Sequence, residues 1–114
     1  MDSKVTIKDL KEQARGFTQP RLEAKIFRNH DAKELALNLM TEVAEFAELF
    51  RFIEKEKVRE RFESKRVEAE DELADVLLSV LLICNDYEVD LSDAFARKME
   101  SSARKYPLGQ CGRS

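Results

Sequence analysis

The chain has 114 residues, with 20 basic and 23 acidic side chains and a formal net charge of −3. This length corresponds to one domain. The slight negative charge argues against nonspecific electrostatic binding of nucleic acid, because such binding needs a surplus of positive charge on one face of the protein. Three glycines and two prolines are few, which disfavours a β-sandwich or barrel, because those folds need a turn every ~8–12 residues.

Cysteine content and the length of the apolar runs indicate a reducing, aqueous compartment. Cys84, Cys111 and one histidine make neither a disulfide framework nor a zinc site. The longest apolar run, residues 76–84, is too short for a membrane span, which needs about 20 residues. The N-terminus lacks the pattern of a signal peptide. We therefore expect a cytoplasmic protein that binds neither nucleic acid nor membrane.

The sequence predicts four helices and no strands. The first helix is expected to run from Ser3, as its cap, to about Arg15, because residues 16–20 include a glycine and a proline. The second starts at Asp31 and Glu34, whose spacing of three resembles a capping box. Apolar side chains then recur at the spacing of one helix face: Leu35, Leu39, Val43, Phe46, Leu49, Phe50 and Ile53.

The third predicted helix is the most apolar part of the chain. A loop within residues 52–57 should separate it from the second helix, and it starts at Val58 or at Lys65 and ends at Tyr87. Residues 73–84 are apolar almost all round, which predicts burial on most sides. A chain of this size would bury one of those sides against another copy of itself.

The fourth helix completes one domain. Asp90 is expected to cap it, and it ends near Lys105, shortly before a proline and a glycine. Residues 1–109 then form a single all-α domain, and residues 110–114 form a disordered tail. The expected architecture is a four-helix chain that forms an oligomeric helical bundle.

Two pairs of acidic residues interrupt the apolar faces of the second and third helices. Glu42 and Glu45 are three residues apart, as are Glu72 and Asp75, so each pair shares a helix face. Buried carboxylates are paired, protonated or bound to a metal, since an unpaired one costs several kcal/mol. Few basic residues are placed to neutralise them. Four carboxylates from antiparallel helices would make an oxygen cage for Mg²⁺; the alternative is boundary positions that reach water.

Two runs of sequence carry a resemblance to a known family. Residues 42–50 read Glu-Val-Ala-Glu-Phe-Ala-Glu-Leu-Phe, and residues 71–77 read Asp-Glu-Leu-Ala-Asp-Val-Leu. Together they resemble the ExxE…ExxD pattern of the MazG-like all-α nucleoside triphosphate pyrophosphohydrolases, with the small dCTP pyrophosphatases as the most similar subgroup. Residues 89–107 are similar to the closing helix of the family, and His30 with Lys33 is similar to its entry into the second helix.

The resemblance implies a reaction, a metal and a set of site residues. Water would attack the α-phosphorus of a (deoxy)nucleoside triphosphate, dCTP-like or noncanonical, releasing the monophosphate and pyrophosphate in a nucleotide-pool house-cleaning role. The implied metal ligands are Glu42, Glu45, Glu72 and Asp75, for Mg²⁺ or Mn²⁺ in its place, with Glu45 as the catalytic candidate that activates water. The implied substrate contacts are His30, Lys33, Phe52, Lys98, Ser102, Arg104 and Tyr106. The implied assembly is a homotetramer, a dimer of dimers.

Two alternatives stay open from the sequence. One is a dUTP-type or phosphoribosyl-ATP-type pyrophosphohydrolase of the same superfamily, and the other is a non-catalytic helical oligomerisation module. Departures from the family pattern at Ile26, Asn29, Ala32 and Glu34, where the family has Trp, Phe, Pro and Asn, leave the metal residues intact. They leave the choice of base and sugar undetermined.

Overall fold

A computed structural model describes residues 4–109, and this part of the chain is all-helical. The helices are α1 (Ile7–Glu23), α2 (Ala32–Glu48), α3 (Val58–Ser64), α4 (Arg66–Asp86) and α5 (Leu91–Lys105), with a short 3-10 turn (Lys55–Lys57) before α3. The expected all-α class is confirmed. The predicted tail of residues 110–114 lies outside the described residues, as does Ser3. The prediction that Ser3 caps the first helix was wrong, because α1 begins at Ile7 and Thr6 is its cap.

Helix α1 continues well beyond its predicted end near Arg15 and finishes at Glu23. Pro20 lies inside the helix, where it removes only the donor to the carbonyl of Gly16, four residues earlier. Gly16 is exposed to solvent, so water can satisfy that carbonyl. The prediction that residues 16–20 interrupt the helix was therefore wrong.

Side-chain caps fix the start of three helices. The Thr6 hydroxyl accepts a hydrogen bond from the backbone N–H of Asp9 at 3.1 Å, which sets the first residue of α1. Asp31 and Asp90 cap α2 and α5 in the same way, with distances of 2.9 and 3.0 Å, as the sequence predicts. A cap of this kind stabilises a helix by about 1 kcal/mol.

The single third helix of the prediction is two helices, which raises the count from four to five. Lys65 adopts φ −118° and ψ 27°, outside the helical region, and so separates α3 from α4. Contacts with the end of α2 turn α3 away from the axis of α4. The Phe62 ring stacks on Phe50 at 5.9 Å, and the Arg61 guanidinium donates to the carbonyl of Leu49 at 2.7 Å.

Helix α4 is the centre of the fold, and α1 and α2 pack against it. The residues with almost no exposed surface are Ala14, Leu35, Ala69, Leu81 and Cys84. The backbone N–H of Ala32 donates to the Tyr87 hydroxyl at 2.8 Å, so the start of α2 lies beside the end of α4 and the two helices run antiparallel. Within one chain, Leu73 and Leu77 on α4 are 45% and 38% exposed, so the predicted burial of α4 on most sides would require a second copy of the chain.

Helix α5 extends away from the rest of the chain. It makes at most marginal contact with the other described helices, and Phe95 and Met99 on its apolar face are 64% and 47% exposed. The radius of gyration is 17.7 Å, against about 13 Å for a compact chain of this length. In the described part of the chain, no helix combines the length and apolar character that crossing a membrane requires.

Candidate active site

Three of the four predicted metal ligands meet where α2 and α4 pack. Glu42, Glu45 and Glu72 each place a carboxylate oxygen within 4.8 Å of the other two. The three-residue spacing directs each pair to one helix face, and the antiparallel packing turns those faces toward each other. Asp75 lies three residues further along α4, outside this triad, and its charge acts on both Glu42 and Glu72.

These carboxylates have no basic partner in the described part of the chain. None of the four forms an ion pair there, whereas the exposed Glu48 and Glu68 nearby each pair with a basic residue at 3.5 Å. The Oε2 atoms of Glu42 and Glu72 are buried and have no hydrogen-bond partner. Buried acceptors of this kind need a donor or a cation, and an all-carboxylate set fits a hard divalent cation such as Mg²⁺.

The electrostatics of the cluster oppose full ionisation. Burial raises the pKa of Glu42 and of Glu72, and repulsion from Glu45 and Asp75 raises it further. The folded chain therefore holds protons on these groups more tightly than the unfolded chain does. Without a cation, the stability contributed by the protonated groups is present at low pH and is lost as the pH rises through the raised pKa values.

Glu72→Gln is expected to raise the melting temperature of the metal-free protein at neutral pH, since glutamine removes one charge from the repulsive cluster. The same change should remove most of the stabilisation given by added Mg²⁺. Thermal unfolding in EDTA and in Mg²⁺ measures both effects. Asp71→Asn, on the same helix but exposed and outside the cluster, is the matched control and should change neither. A lower melting temperature for Glu72→Gln in EDTA would contradict the expectation.

A cleft of about 570 Å³ adjoins the acidic cluster. Glu42 and Asp75 line one end of it. Because α2 and α4 run antiparallel, Asn38 lies opposite Ser79 one turn further along, and Leu35 lies opposite Leu82 one turn beyond that. The remaining lining residues come from α1, the connector to α2, and the middle and end of α4: Phe17, Thr18, Leu22, Ile26, Phe27, Arg28, Asn29, His30, Leu78 and Asp86.

The predicted substrate-binding residues divide into two groups. His30 lines the cleft, and its buried Nδ1 lies 3.4 Å from the Glu34 carboxylate. Phe52 is 83% exposed, with the Arg51 guanidinium 4.9 Å from the centre of its ring. Phe52 does not line the cleft, and neither do the other predicted substrate-binding residues, Lys33, Lys98, Ser102, Arg104 and Tyr106. Substrate contact by these residues stays a prediction.

The sequence analysis did not predict six polar residues that line the cleft: Thr18, Arg28, Asn29, Asn38, Ser79 and Asp86. A signal for two of them was present. Asn38 lies four residues before Glu42 and Ser79 four residues after Asp75, so each extends an acidic face by one helical turn. A polar side chain at such a position, within an otherwise apolar pattern, points to the same surface as the carboxylates.

The chain is an all-α protein whose central antiparallel helix pair carries a carboxylate cluster suited to divalent cations. The family model of the MazG nucleotide pyrophosphohydrolase domain matches residues 30–108. The chain therefore belongs to the MazG nucleotide pyrophosphohydrolase family, and the resemblance of the two acidic motifs is confirmed.

Individual relatives support this assignment. dCTP pyrophosphatase 1 of Bos taurus is 35% identical over 81 residues, which are 69% of this chain and 48% of that protein. The Rattus norvegicus protein of the same name is 33% identical over the same shares, so the chain spans about half the length of these curated relatives. The crystal structure of a pyrophosphatase from Archaeoglobus fulgidus DSM 4304 matches with a TM-score of 0.78, 36% identity, and coverage of 88% of this chain and 91% of that one.

Proposed function

We propose that this protein is a Mg²⁺-dependent nucleoside triphosphate pyrophosphohydrolase of the cytoplasm. It hydrolyses a (deoxy)nucleoside triphosphate, with a dCTP-like or noncanonical nucleotide favoured, and so removes unwanted nucleotides from the pool. The observation that carries this proposal is the unneutralised carboxylate cluster at one end of a cleft. The names of the relatives, dCTP pyrophosphatase and pyrophosphatase, support the substrate class.

The carboxylates of Glu42, Glu45, Glu72 and Asp75 would hold the divalent cations. Bound cations supply neutralisation of the polyphosphate and polarisation of the phosphate oxygens. Without them the cluster would repel a triphosphate, which itself carries about four negative charges. This explains why the chain can keep acidic rather than basic residues at the phosphate end of the cleft.

We assign to Glu45 the role of accepting a proton from water. It is the exposed member of the triad, whereas Glu42 and Glu72 are half-buried, so water reaches Glu45 most easily. The water oxygen bonds to the α-phosphorus, the bond from that phosphorus to the bridging oxygen breaks, and pyrophosphate leaves with the bond electrons. The proton of the water passes to Glu45, which acts as a general base.

A second copy of the chain is part of this proposal. The single chain exposes 9432 Å², against about 6,400 Å² for a compact monomer of this mass. That excess is well above the roughly 800 Å² that each partner buries in a standard interface. Two separate apolar surfaces contribute to this excess of exposed area. One is the stripe of Leu37, Met40 and Val43 on α2, and the other is the stripe of Phe95 and Met99 on α5. Two distinct interfaces are what a dimer of dimers needs.

Assembly would also bring the cations of α5 to an active site. Lys98 and Arg104 do not line the cleft of their own chain, because α5 extends away from α2 and α4. Extended helices of this kind can reach the cleft of a neighbouring copy. The predicted contacts of Lys98, Ser102, Arg104 and Tyr106 with the substrate are therefore proposed to occur between subunits.

Release of pyrophosphate from a panel of nucleotides tests the proposed function. We expect turnover of at least one deoxynucleoside triphosphate with Mg²⁺, a lower or equal rate with Mn²⁺, and no turnover in EDTA. The panel includes dCTP, dUTP, the other common nucleotides, oxidised and methylated forms, and phosphoribosyl-ATP. Turnover of phosphoribosyl-ATP or dUTP alone would favour the related enzymes, and no Mg²⁺-dependent turnover of any compound would favour the non-catalytic oligomerisation module.

A further inference from the structure

The side chains that line the cleft change from acidic to polar to apolar along its length. Glu42 and Asp75 form its acidic end, Asn38 and Ser79 follow, and Leu35 and Leu82 make the next section apolar. Asp86 ends α4 at the opposite end of the cleft. Eleven residues separate Asp75 from Asp86, which at the rise of an α-helix is about 16 Å.

This order matches the parts of a nucleotide bound lengthwise. On the proposed function, the phosphates lie at the acidic end, so the base lies over the apolar section or beyond it. Phe17 and Phe27, whose rings are 5.9 Å apart, line the same cleft from α1 and the connector. A planar base would lie with this aromatic pair on one side and Leu35 and Leu82 on the other, and its outer edge would then point toward the end of α4.

Asp86 is the uncommitted acceptor at that end. Within residues 4–109 its carboxylate accepts no hydrogen bond and forms no ion pair. The neighbouring charged groups are already engaged, since Arg28 pairs with Glu34 at 2.8 Å and His30 lies 3.4 Å from the same carboxylate. Asn29 also lines this end, but an amide both donates and accepts, so it does not distinguish an amino from a keto edge.

We infer that Asp86 selects the base of the substrate by accepting a hydrogen bond from an exocyclic amino group, so that the cleft favours cytosine over uracil. This inference rests on the proposed function. Cytosine presents an amino donor at position 4, which a carboxylate accepts well, whereas uracil presents a keto oxygen that a carboxylate repels. Asp86 is exposed in the single chain, so the discrimination against uracil comes from repulsion between its carboxylate and the keto oxygen, and not from an unpaired buried acceptor.

The test compares dCTP with dUTP, which differ at position 4 of the base and in the proton that uracil carries on N3. The kcat/KM ratio for the two should favour dCTP by about tenfold or more in the parent protein. In Asp86→Asn it should fall to roughly unity or invert, because the amide of asparagine can donate to the keto oxygen. The kcat/KM for dUTP should stay the same or rise, which a merely structural defect would not produce.

Glu88→Gln is the matched control. It removes one negative charge two residues after Asp86, but Glu88 does not line the cleft. The ratio of kcat/KM for dCTP to kcat/KM for dUTP should therefore not change. An unchanged ratio in Asp86→Asn, or a parent protein without preference between the two nucleotides, overturns the inference.

Calorimetric titration with the non-hydrolysable α,β-imido analogues of dCTP and dUTP separates this inference from the proposed function. If neither nucleotide is hydrolysed but the parent binds the dCTP analogue more tightly and Asp86→Asn does not, the inference holds and the proposed function fails. If hydrolysis proceeds and the two analogues bind equally to both proteins, the inference alone fails. If neither analogue binds the parent protein, both are overturned.

Discussion

Asp75→Asn is expected to lower Mg²⁺-dependent release of pyrophosphate by on the order of 1,000-fold, with the helical fold retained. Asparagine has the shape of aspartate but carries no charge, so it would weaken the hold on a cation and the neutralisation of the phosphates. The side chain is exposed, so the packing of α4 does not depend on it. The loss should therefore appear in turnover and not in the circular dichroism of the folded protein.

The stability of this variant provides a second, opposite readout. The charge of Asp75 helps to raise the pKa of Glu42 and of Glu72, so its removal relieves repulsion inside the cluster. In EDTA the variant should melt at the same temperature as the parent or at a higher one. A protein that lost activity only because it unfolded would melt at a lower temperature.

Asp71→Asn is the control for this experiment. Asp71 is exposed, lies one turn earlier on the same helix and is outside the acidic triad, so the same chemical change there should leave turnover within about twofold. Activity of Asp75→Asn close to that of the parent would rule out a metal site built from these four carboxylates.

The convergence of the carboxylates was predictable because it depends on local rules. A spacing of three residues puts Glu42 with Glu45, and Glu72 with Asp75, on one face of a helix. Helices that neighbour each other in sequence tend to pack antiparallel. α2 and α4 keep that arrangement although the short α3 lies between them, so the two faces are turned toward each other. The caps at Asp31 and Asp90 were predictable for the same reason, since each depends on residues only three positions apart.

Features that depend on contacts distant in sequence were not predictable. Val58 and Lys65 were alternative predicted starts of one helix, whereas the structure uses both, Val58 as the first residue of α3 and Lys65 as the cap position of α4. The stacking of Phe62 on Phe50, which accompanies this break, joins residues twelve positions apart. The continuation of α1 through Pro20 was missed because Gly16 and Pro20 are read as helix breakers, whereas the carbonyl of the exposed Gly16 can be satisfied by water. Asp86 was not predicted as a cleft residue because its place follows from the register between α2 and α4 and from the connector before α2.

The exposed apolar face of α5 leads to the second large expected effect. Phe95→Glu should convert the assembled protein into smaller species, with at least a twofold fall in mass. Burying a phenylalanine contributes about 2 kcal/mol, and burying an unpaired carboxylate in its place costs several kcal/mol more. A two-fold symmetric interface contains the change twice, so the dissociation constant should rise by roughly five orders of magnitude.

Size-exclusion chromatography with light scattering measures this change at micromolar concentration. Ser101→Glu adds the same charge on the same helix, at an exposed position away from the stripe of Phe95 and Met99, and should leave the mass unchanged. A parent protein that is monomeric, or a Phe95→Glu variant of unchanged mass, would show that α5 does not mediate assembly.

Activity measured on the same variants decides whether assembly serves the site or only the stability of the protein. Phe95 is 64% exposed in the single chain, so the monomer of Phe95→Glu should keep its helices and its carboxylate cluster. If α5 of a neighbouring copy supplies Lys98 and Arg104 to the cleft, turnover should fall together with the mass, while stabilisation by Mg²⁺ persists. A monomer that hydrolyses nucleotides as fast as the parent would mean that the cleft between α2 and α4 suffices, and that the predicted role of the α5 cations is wrong.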